Sequence, residues 1–129
     1  ACLPQKHALA KARSIALQDL QGQALVVVSR TVSPDYHERI LQCCEHAGWM
    51  PQVVHELRHW LSVVSLVSQG QGAALVPQAL QQSALAGAVF VPLQDVDVRY
   101  DTRCLWRSDR DQTALQDFVQ AVQASSLIL

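Results

Sequence analysis

The stretch ALVVVSRTVSPDYHERILQ, residues 24–42, decides the fold because a strand, a loop and the start of a helix follow one another in it. ALVVV is an unbroken apolar run rich in β-branched side chains, which is typical of a parallel strand covered on both faces. Ser33, Pro34 and Asp35 then fit the cap, the first position and the first turn of a helix. This order predicts the first half of a βαβ unit.

The same alternation of strand and helix continues after Gly48, which is expected to end the first helix. Five further segments are predicted: a strand over 52–57, a helix over 60–69, a strand over 73–76, a short helix after Pro77 and a strand over 89–92. Residues 98–107 alternate apolar and charged side chains, which favours an antiparallel or edge strand. The sequence therefore predicts an α/β fold with right-handed βαβ units on a Rossmann-like, mostly parallel five-stranded sheet with one antiparallel strand.

Each predicted helix has an apolar side that should face a core. The first carries Tyr36, Ile40, Cys44 and Ala47. The second carries Leu61, Val64 and Val67. Its neighbouring face has the small side chains of Ser62, Ser65 and Ser68. The helix over 112–124 carries Leu115, Phe118, Val119 and Val122.

Length, charge and cysteine content narrow the range of functions that are expected for this chain. The 129 residues are enough for one domain or a piece of one. The net charge is −1 and the sequence has no cluster of basic residues, which disfavours nucleic-acid binding by this chain. Four cysteines without Cys-x-x-Cys spacing predict reduced packing residues and a cytoplasmic protein. No apolar run reaches the roughly 20 residues of a membrane span. The start lacks both a methionine and a signal peptide, so we expect the chain to begin inside a longer protein.

The Gly70-Gln71-Gly72 triplet resembles a phosphate-binding loop at first sight. A dinucleotide-binding turn, however, follows a strand and precedes a helix, because the phosphates need the free N–H groups of the helix N-terminus. Here the predicted order is helix, glycines, strand. The triplet is therefore predicted to end a helix.

Two loops follow predicted strands and lead into helices, which is where ligands bind in parallel α/β sheets. The first is Ser29, Arg30 and Thr31, in which the guanidinium could hold a carboxylate and the hydroxyls could fix its orientation. An ordinary solvated loop with a helix cap fits these residues equally well.

The second loop is Arg58, His59 and Trp60, which opens a helix without a Ser, Thr, Asp or Asn cap. Uncapped amides beside a guanidinium and an imidazole would form an anion site. A core tryptophan next to a surface arginine is an equally good interpretation.

His37, Cys43, Cys44 and His46 share one helix, but their spacings match no common zinc pattern, so we predict no metal and expect packing cysteines and surface histidines. The sequence contains no Gly-x-Ser-x-Gly motif and no carboxylate pair with a shared cleft. The chain is therefore predicted to have neither a cofactor nor enzymatic activity.

Four sequence segments follow one another in order and cover most of the chain: HALAKARSIALQDLQGQALVVVSR (7–30), HAGWMPQVVHEL (46–57), SLVSQGQGAALVP (65–77) and RCLWRSDRDQTALQDFVQAV (103–122). Together they resemble the effector-binding domain of LysR-type transcriptional regulators. The third segment is similar to that family's Val-x-x-Gly-x-Gly-x-Ala-Leu-x-Pro motif. Ala8 replaces the common proline of its His-Pro-Leu-Ala turn.

The resemblance implies a fold of the periplasmic-binding-protein type, in which two Rossmann-like subdomains enclose a small effector, here expected to be an anion. This chain would hold the second subdomain over about 18–99, crossover segments at 1–17 and 100–107, and a C-terminal helix over about 112–124. The DNA-binding domain would lie outside it. Residues 29–31 and 58–60 inherit the effector contacts by position, although the bulky 58–60 cluster departs from the family's small polar residues.

The resemblance further implies a bacterial, cytoplasmic homodimer or homotetramer that binds DNA only through the missing domain. Two other functions stay open: a fragment of a solute-binding protein and a fragment of a small α/β enzyme. We also expect this chain to self-associate, because Phe118, Val122 and an apolar stub at residues 1–3 would be left exposed without the first subdomain.

Overall fold

The computed structural model describes residues 1–96, 98 and 113–124, and the chain divides into two compact units, Ala1–Asp97 and Val98–Leu129. The elements of the first unit are β1 (Cys2–Pro4), β2 (Ala24–Val28), α1 (Pro34–His46), β3 (Gln52–Leu57), α2 (Trp60–Ser68) and β4 (Ala88–Phe90). Two short 3-10 helices span Leu17–Leu20 and Gln78–Ser83. The second unit contains α3 (Thr113–Ala124). The strand predicted over 98–107 lies, except for residue 98, outside the described residues.

The strands of the first unit form two small sheets. β2 and β3 are parallel, whereas β1 and β4 are antiparallel. The segment around Ala73 and Ala74 lies between the two sheets: Ala73 pairs in parallel with Leu25 of β2, and Ala74 pairs in antiparallel fashion with Cys2 of β1. The Ala74 amide donates to the Cys2 carbonyl at 2.9 Å, and the Cys2 amide donates back at 2.7 Å.

The α/β class predicted from the sequence is confirmed, and so are the strand over 52–57 and the helix that begins at Trp60. The described residues do not form one five-stranded sheet. The segment predicted as a strand over 73–76 has strand-type partners only at Ala73 and Ala74, so it connects the two sheets through single residue pairs.

The side chains of β2 alternate between two cores, which explains its unbroken apolar sequence. Leu25 and Val27 pack into a cluster with the buried stripe of α1. Val26 and Val28 pack on the opposite side, in a cluster with the buried residues of α2. A strand that is buried on both faces has no position for a polar residue, as predicted.

The buried stripe of α2 differs from the prediction. Val63, Val64 and Val67 are fully buried, whereas Leu61 is 60% exposed. With roughly 100° of rotation per residue, Leu61 lies about 160° from Val63 and about 120° from Val67, on the opposite side of the helix. The expectation that Leu61 packs in the core is therefore wrong.

The first residues of the chain are not an exposed apolar stub, in contrast to the prediction. Cys2 and Leu3 are fully buried because β1 pairs with β4 on one side and with Ala74 on the other. In the second unit the predicted C-terminal helix is confirmed over Thr113–Ala124, and Phe118 and Val122 of α3 are exposed.

The glycine triplet ends α2, as predicted. Gly70 has a φ of +79°, and its amide donates to the Val67 carbonyl at 2.9 Å. Gly72 has a φ of +149°, and a Cβ atom at this position would lie 2.6 Å from the Ala24 carbonyl oxygen. Gly72 is therefore required where the chain passes directly against β2.

The start of α1 follows the prediction in position but not in hydrogen bonding. Ser33 is the N-cap residue and Pro34 is the first helical residue, yet the Ser33 side chain makes no capping bond. Its ψ of 78° lies outside the extended range in which a capping side chain reaches the first turn.

Candidate functional site

The two loops predicted to bind a ligand lie side by side at the same edge of the β2–β3 sheet. Val28 and Leu57, the last residues of the two parallel strands, are register partners. The amide of Ser29 donates to the Leu57 carbonyl at 2.8 Å, which ties the first loop to the end of β3, directly before the second loop. The structure thus brings the segments 29–31 and 58–60 together.

The first loop is held in a compact turn by its own hydroxyls. Ser29 Oγ and Thr31 Oγ1 lie 3.0 Å apart, and the amides of Val32 and Ser33 both donate to the Ser29 carbonyl. The Ser29 side chain is half-buried and that of Thr31 is exposed. Because each hydroxyl retains further hydrogen-bonding capacity, this turn can offer both a donor and an acceptor to a ligand.

Arg30 projects from the first loop toward α1. Its Nη2 atom lies 2.7 Å from Glu38 Oε1, and the two side chains are 67% and 41% exposed. An ion pair with this exposure contributes about 0–1 kcal/mol to stability, because water screens both charges. The Arg30 guanidinium is therefore already paired, although weakly, with Glu38.

The second loop opens α2 without a side-chain cap. His59 is the N-cap residue in an extended conformation, and its side chain makes no capping bond, as predicted. Arg58 and His59 are exposed at this helix start. The amides of Ser62 and Val63 donate to the His59 carbonyl, whereas the amides of Trp60 and Leu61, which come first in the helix, are available to an anion.

Trp60 is packed against Tyr36 and does not project freely into solvent. The two ring centroids are 4.5 Å apart, and the rings are nearly perpendicular at 86°. The Tyr36 hydroxyl donates to the Leu75 carbonyl at 2.6 Å, so it also fixes the segment that follows Ala74. Sequence reasoning identified Tyr36 only as an apolar stripe residue and missed its ring contact with Trp60 of the second loop.

His37 is buried, with 7% of its surface exposed, which corrects the expectation of surface histidines on this helix. Its Nδ1 atom lies 3.1 Å from the Val28 carbonyl, so the Nδ1–H tautomer donates to the last residue of β2. The polar pair at 36–37, placed in the first turn of the helix, was the sequence signal for this anchoring role.

The cysteines of α1 behave as packing residues. Cys44 is fully buried, and burial raises the pKa of its thiol to about 11. Burial likewise raises the pKa of Cys43, so both thiols stay protonated at neutral pH and are weak nucleophiles. Within the described ranges, no group of three histidines, cysteines or acidic residues is placed to hold a metal ion.

Replacing Tyr36 with phenylalanine is expected to lower the free energy of unfolding by about 1–2 kcal/mol, because the buried Leu75 carbonyl loses its donor while the ring contact with Trp60 remains. Urea unfolding measures the change. Ser62→Ala, which removes an exposed hydroxyl from α2, is the matched control and should change stability by less than about 0.5 kcal/mol. Equal stabilities for the two variants would contradict the role of the hydroxyl.

These features define a class: an α/β domain whose loops converge at the carboxyl edge of parallel strands, as in ligand-binding folds of the Rossmann type. The model of the LysR substrate binding domain family matches residues 1–126, and the chain belongs to this family. The helices of the described part of the chain are all too short or too polar to cross a lipid bilayer.

The relatives that match are transcriptional regulators. The chain is 25% identical over 117 residues to the HTH-type transcriptional regulator AlsR of Bacillus subtilis, an alignment that covers 91% of this chain and 39% of AlsR. It is 33% identical over 106 residues to the HTH-type regulator IlvR of Caulobacter vibrioides, covering 82% of this chain and 36% of IlvR. The chain thus spans less than half the length of these relatives.

Among solved structures, the chain is similar to the BenM effector binding domain with its effector benzoate. The TM-score is 0.68 at 24% identity, and the match covers 74% of this chain and 44% of the BenM chain. At this identity the likeness establishes the fold. The relatives named here are regulators and not enzymes, which agrees with the prediction that this chain is not an enzyme.

Proposed function

We propose that this chain is the small-molecule-sensing module of a bacterial LysR-type transcriptional regulator, and that its effector contacts come from Ser29–Thr31 and Arg58–Trp60. The family assignment supports the class of protein. The observation that carries the site is the 2.8 Å hydrogen bond from the Ser29 amide to the Leu57 carbonyl, which places both loops at one sheet edge. Ligands of parallel α/β sheets bind at this edge.

The effector is a small organic anion in this proposal. Two guanidinium groups, those of Arg30 and Arg58, and the uncapped start of α2 lie on the two loops at this sheet edge. Each of these groups interacts favourably with a carboxylate. The related BenM domain was solved with benzoate, which is a small carboxylate, so aromatic carboxylates are the first class to test.

The module acts as one of two subdomains. It spans about 18–99, with crossover segments at 1–17 and 100–107 and a C-terminal helix at about 112–124. The effector closes it against the first subdomain, and this closure changes how a homodimer or homotetramer in the cytoplasm presents its DNA-binding domains. The pairing of Ala73 with β2 and of Ala74 with β1 connects the two small sheets, which supports a subdomain that acts as one unit.

The substitution Arg58→Ala is expected to weaken carboxylate binding by about 10- to 100-fold, because it removes one charged hydrogen-bonding group from the site. Isothermal titration calorimetry of the full-length protein against benzoate and other small carboxylates measures the change. Lys11→Ala is the matched control, since it removes an exposed positive charge outside both loops. Unchanged binding in the double variant Arg30→Ala, Arg58→Ala would rule out this site.

A further inference from the structure

The two arginines of the candidate site have different surroundings. Arg30 is in an ion pair, with Nη2 at 2.7 Å from Glu38 Oε1. Arg58 is exposed, and among the described residues no carboxylate lies within ion-pair distance of it. The positive charge of Arg30 is thus already compensated by Glu38. The positive charge of Arg58 has no compensating carboxylate among the described residues.

The charge balance of the two loops therefore depends on Glu38. Arg30 and Glu38 together carry no net charge, so Arg58 leaves the site with a single excess positive charge. A ligand with one carboxylate matches this excess. A ligand with two carboxylates brings its second negative charge toward Arg30, where Glu38 already occupies the guanidinium.

The size of this effect follows from the exposure of the pair. Two like charges about 4 Å apart in a water-exposed site change an equilibrium constant by about 5-fold. The competition for Arg30 adds a smaller factor, because an exposed ion pair is weak. The resulting discrimination is modest, and it depends on ionic strength because salt screens exposed charges.

We propose that Glu38 is a specificity-determining residue that selects monocarboxylate effectors over dicarboxylates. This inference rests on the proposed function, since it assigns an effector class to the same site. Arg58 holds the single carboxylate. Glu38 occupies Arg30 and repels a second negative charge, so the residue acts on the ligand's charge and not on the stability of the loop.

The test compares benzoate with phthalate, which adds a second carboxylate to the same ring. Glu38→Gln keeps the size of the side chain and removes its charge. In the full-length protein, the affinity ratio of phthalate to benzoate is expected to rise about 5-fold in this variant. Chemical-shift titration of the amides in both loops measures millimolar affinities, and the rise should shrink in about 1 M salt.

Asp35→Asn is the matched control, because it removes one negative charge from the first turn of the same helix without touching the ion pair. An equal rise in the ratio for this control would overturn the assignment to Glu38. Binding that depends on Arg58 but has the same ratio in Glu38→Gln would overturn the inference and leave the proposed function intact. No binding of either probe to any variant would overturn the anionic effector class and the inference with it.

Discussion

Replacing Gly72 with alanine is expected to lower the free energy of unfolding by about 3 kcal/mol or more, since two costs add at this position. A Cβ atom would lie 2.6 Å from the Ala24 carbonyl oxygen, which is backbone and cannot rotate away. The φ of +149° is also a conformation that side chains with a Cβ rarely adopt. Urea unfolding followed by circular dichroism measures the loss.

Gly70→Ala separates the two costs. Gly70 also has a positive φ, at +79°, but a Cβ atom there meets nothing within 4 Å. Only the conformational cost remains, and about 1 kcal/mol is expected. If Gly70→Ala and Gly72→Ala were equally destabilised, the close approach of Gly72 to β2 would not be the cause.

The elements of this fold were predictable because local sequence signals agree with one another. The ALVVV run, the Ser33-Pro34 start and the Gly48 end specify β2 and α1 without reference to distant residues. The role of the glycine triplet followed from its order in the chain. In contrast, the burial of Cys2 and Leu3 was not predictable, because it depends on pairing with β4, nearly 90 residues away.

The candidate site was predictable as a location but not as a set of contacts. Parallel strands place their carboxyl ends at one edge, so the meeting of the two loops followed from the strand order. The pairing of Arg30 with Glu38 and the packing of Trp60 on Tyr36 depend on how the helices are rotated and on rotamers. The strand order specifies neither of these two contacts. Both contacts determine which side-chain groups are accessible at the candidate site.

Val64→Asp is expected to destabilise the protein by about 4 kcal/mol or more, because it places a carboxylate in a fully buried position without a partner. Val64 packs in the cluster that joins α2 to Val26 and Val28 of β2. A loss of this size is close to the whole stability of many domains, which is about 5–15 kcal/mol. Far-UV circular dichroism and urea unfolding should show a largely unfolded chain.

Leu61→Asp is the control, and it tests the rotation of the helix directly. Leu61 lies one turn before Val64, and an apolar stripe read from the sequence contains both residues. Because Leu61 is 60% exposed, its replacement is expected to change stability by no more than about 0.5 kcal/mol. A loss comparable to that of Val64→Asp would mean that α2 buries the face predicted from its sequence, and the orientation of Arg58 and His59, which directly precede α2, would then differ as well.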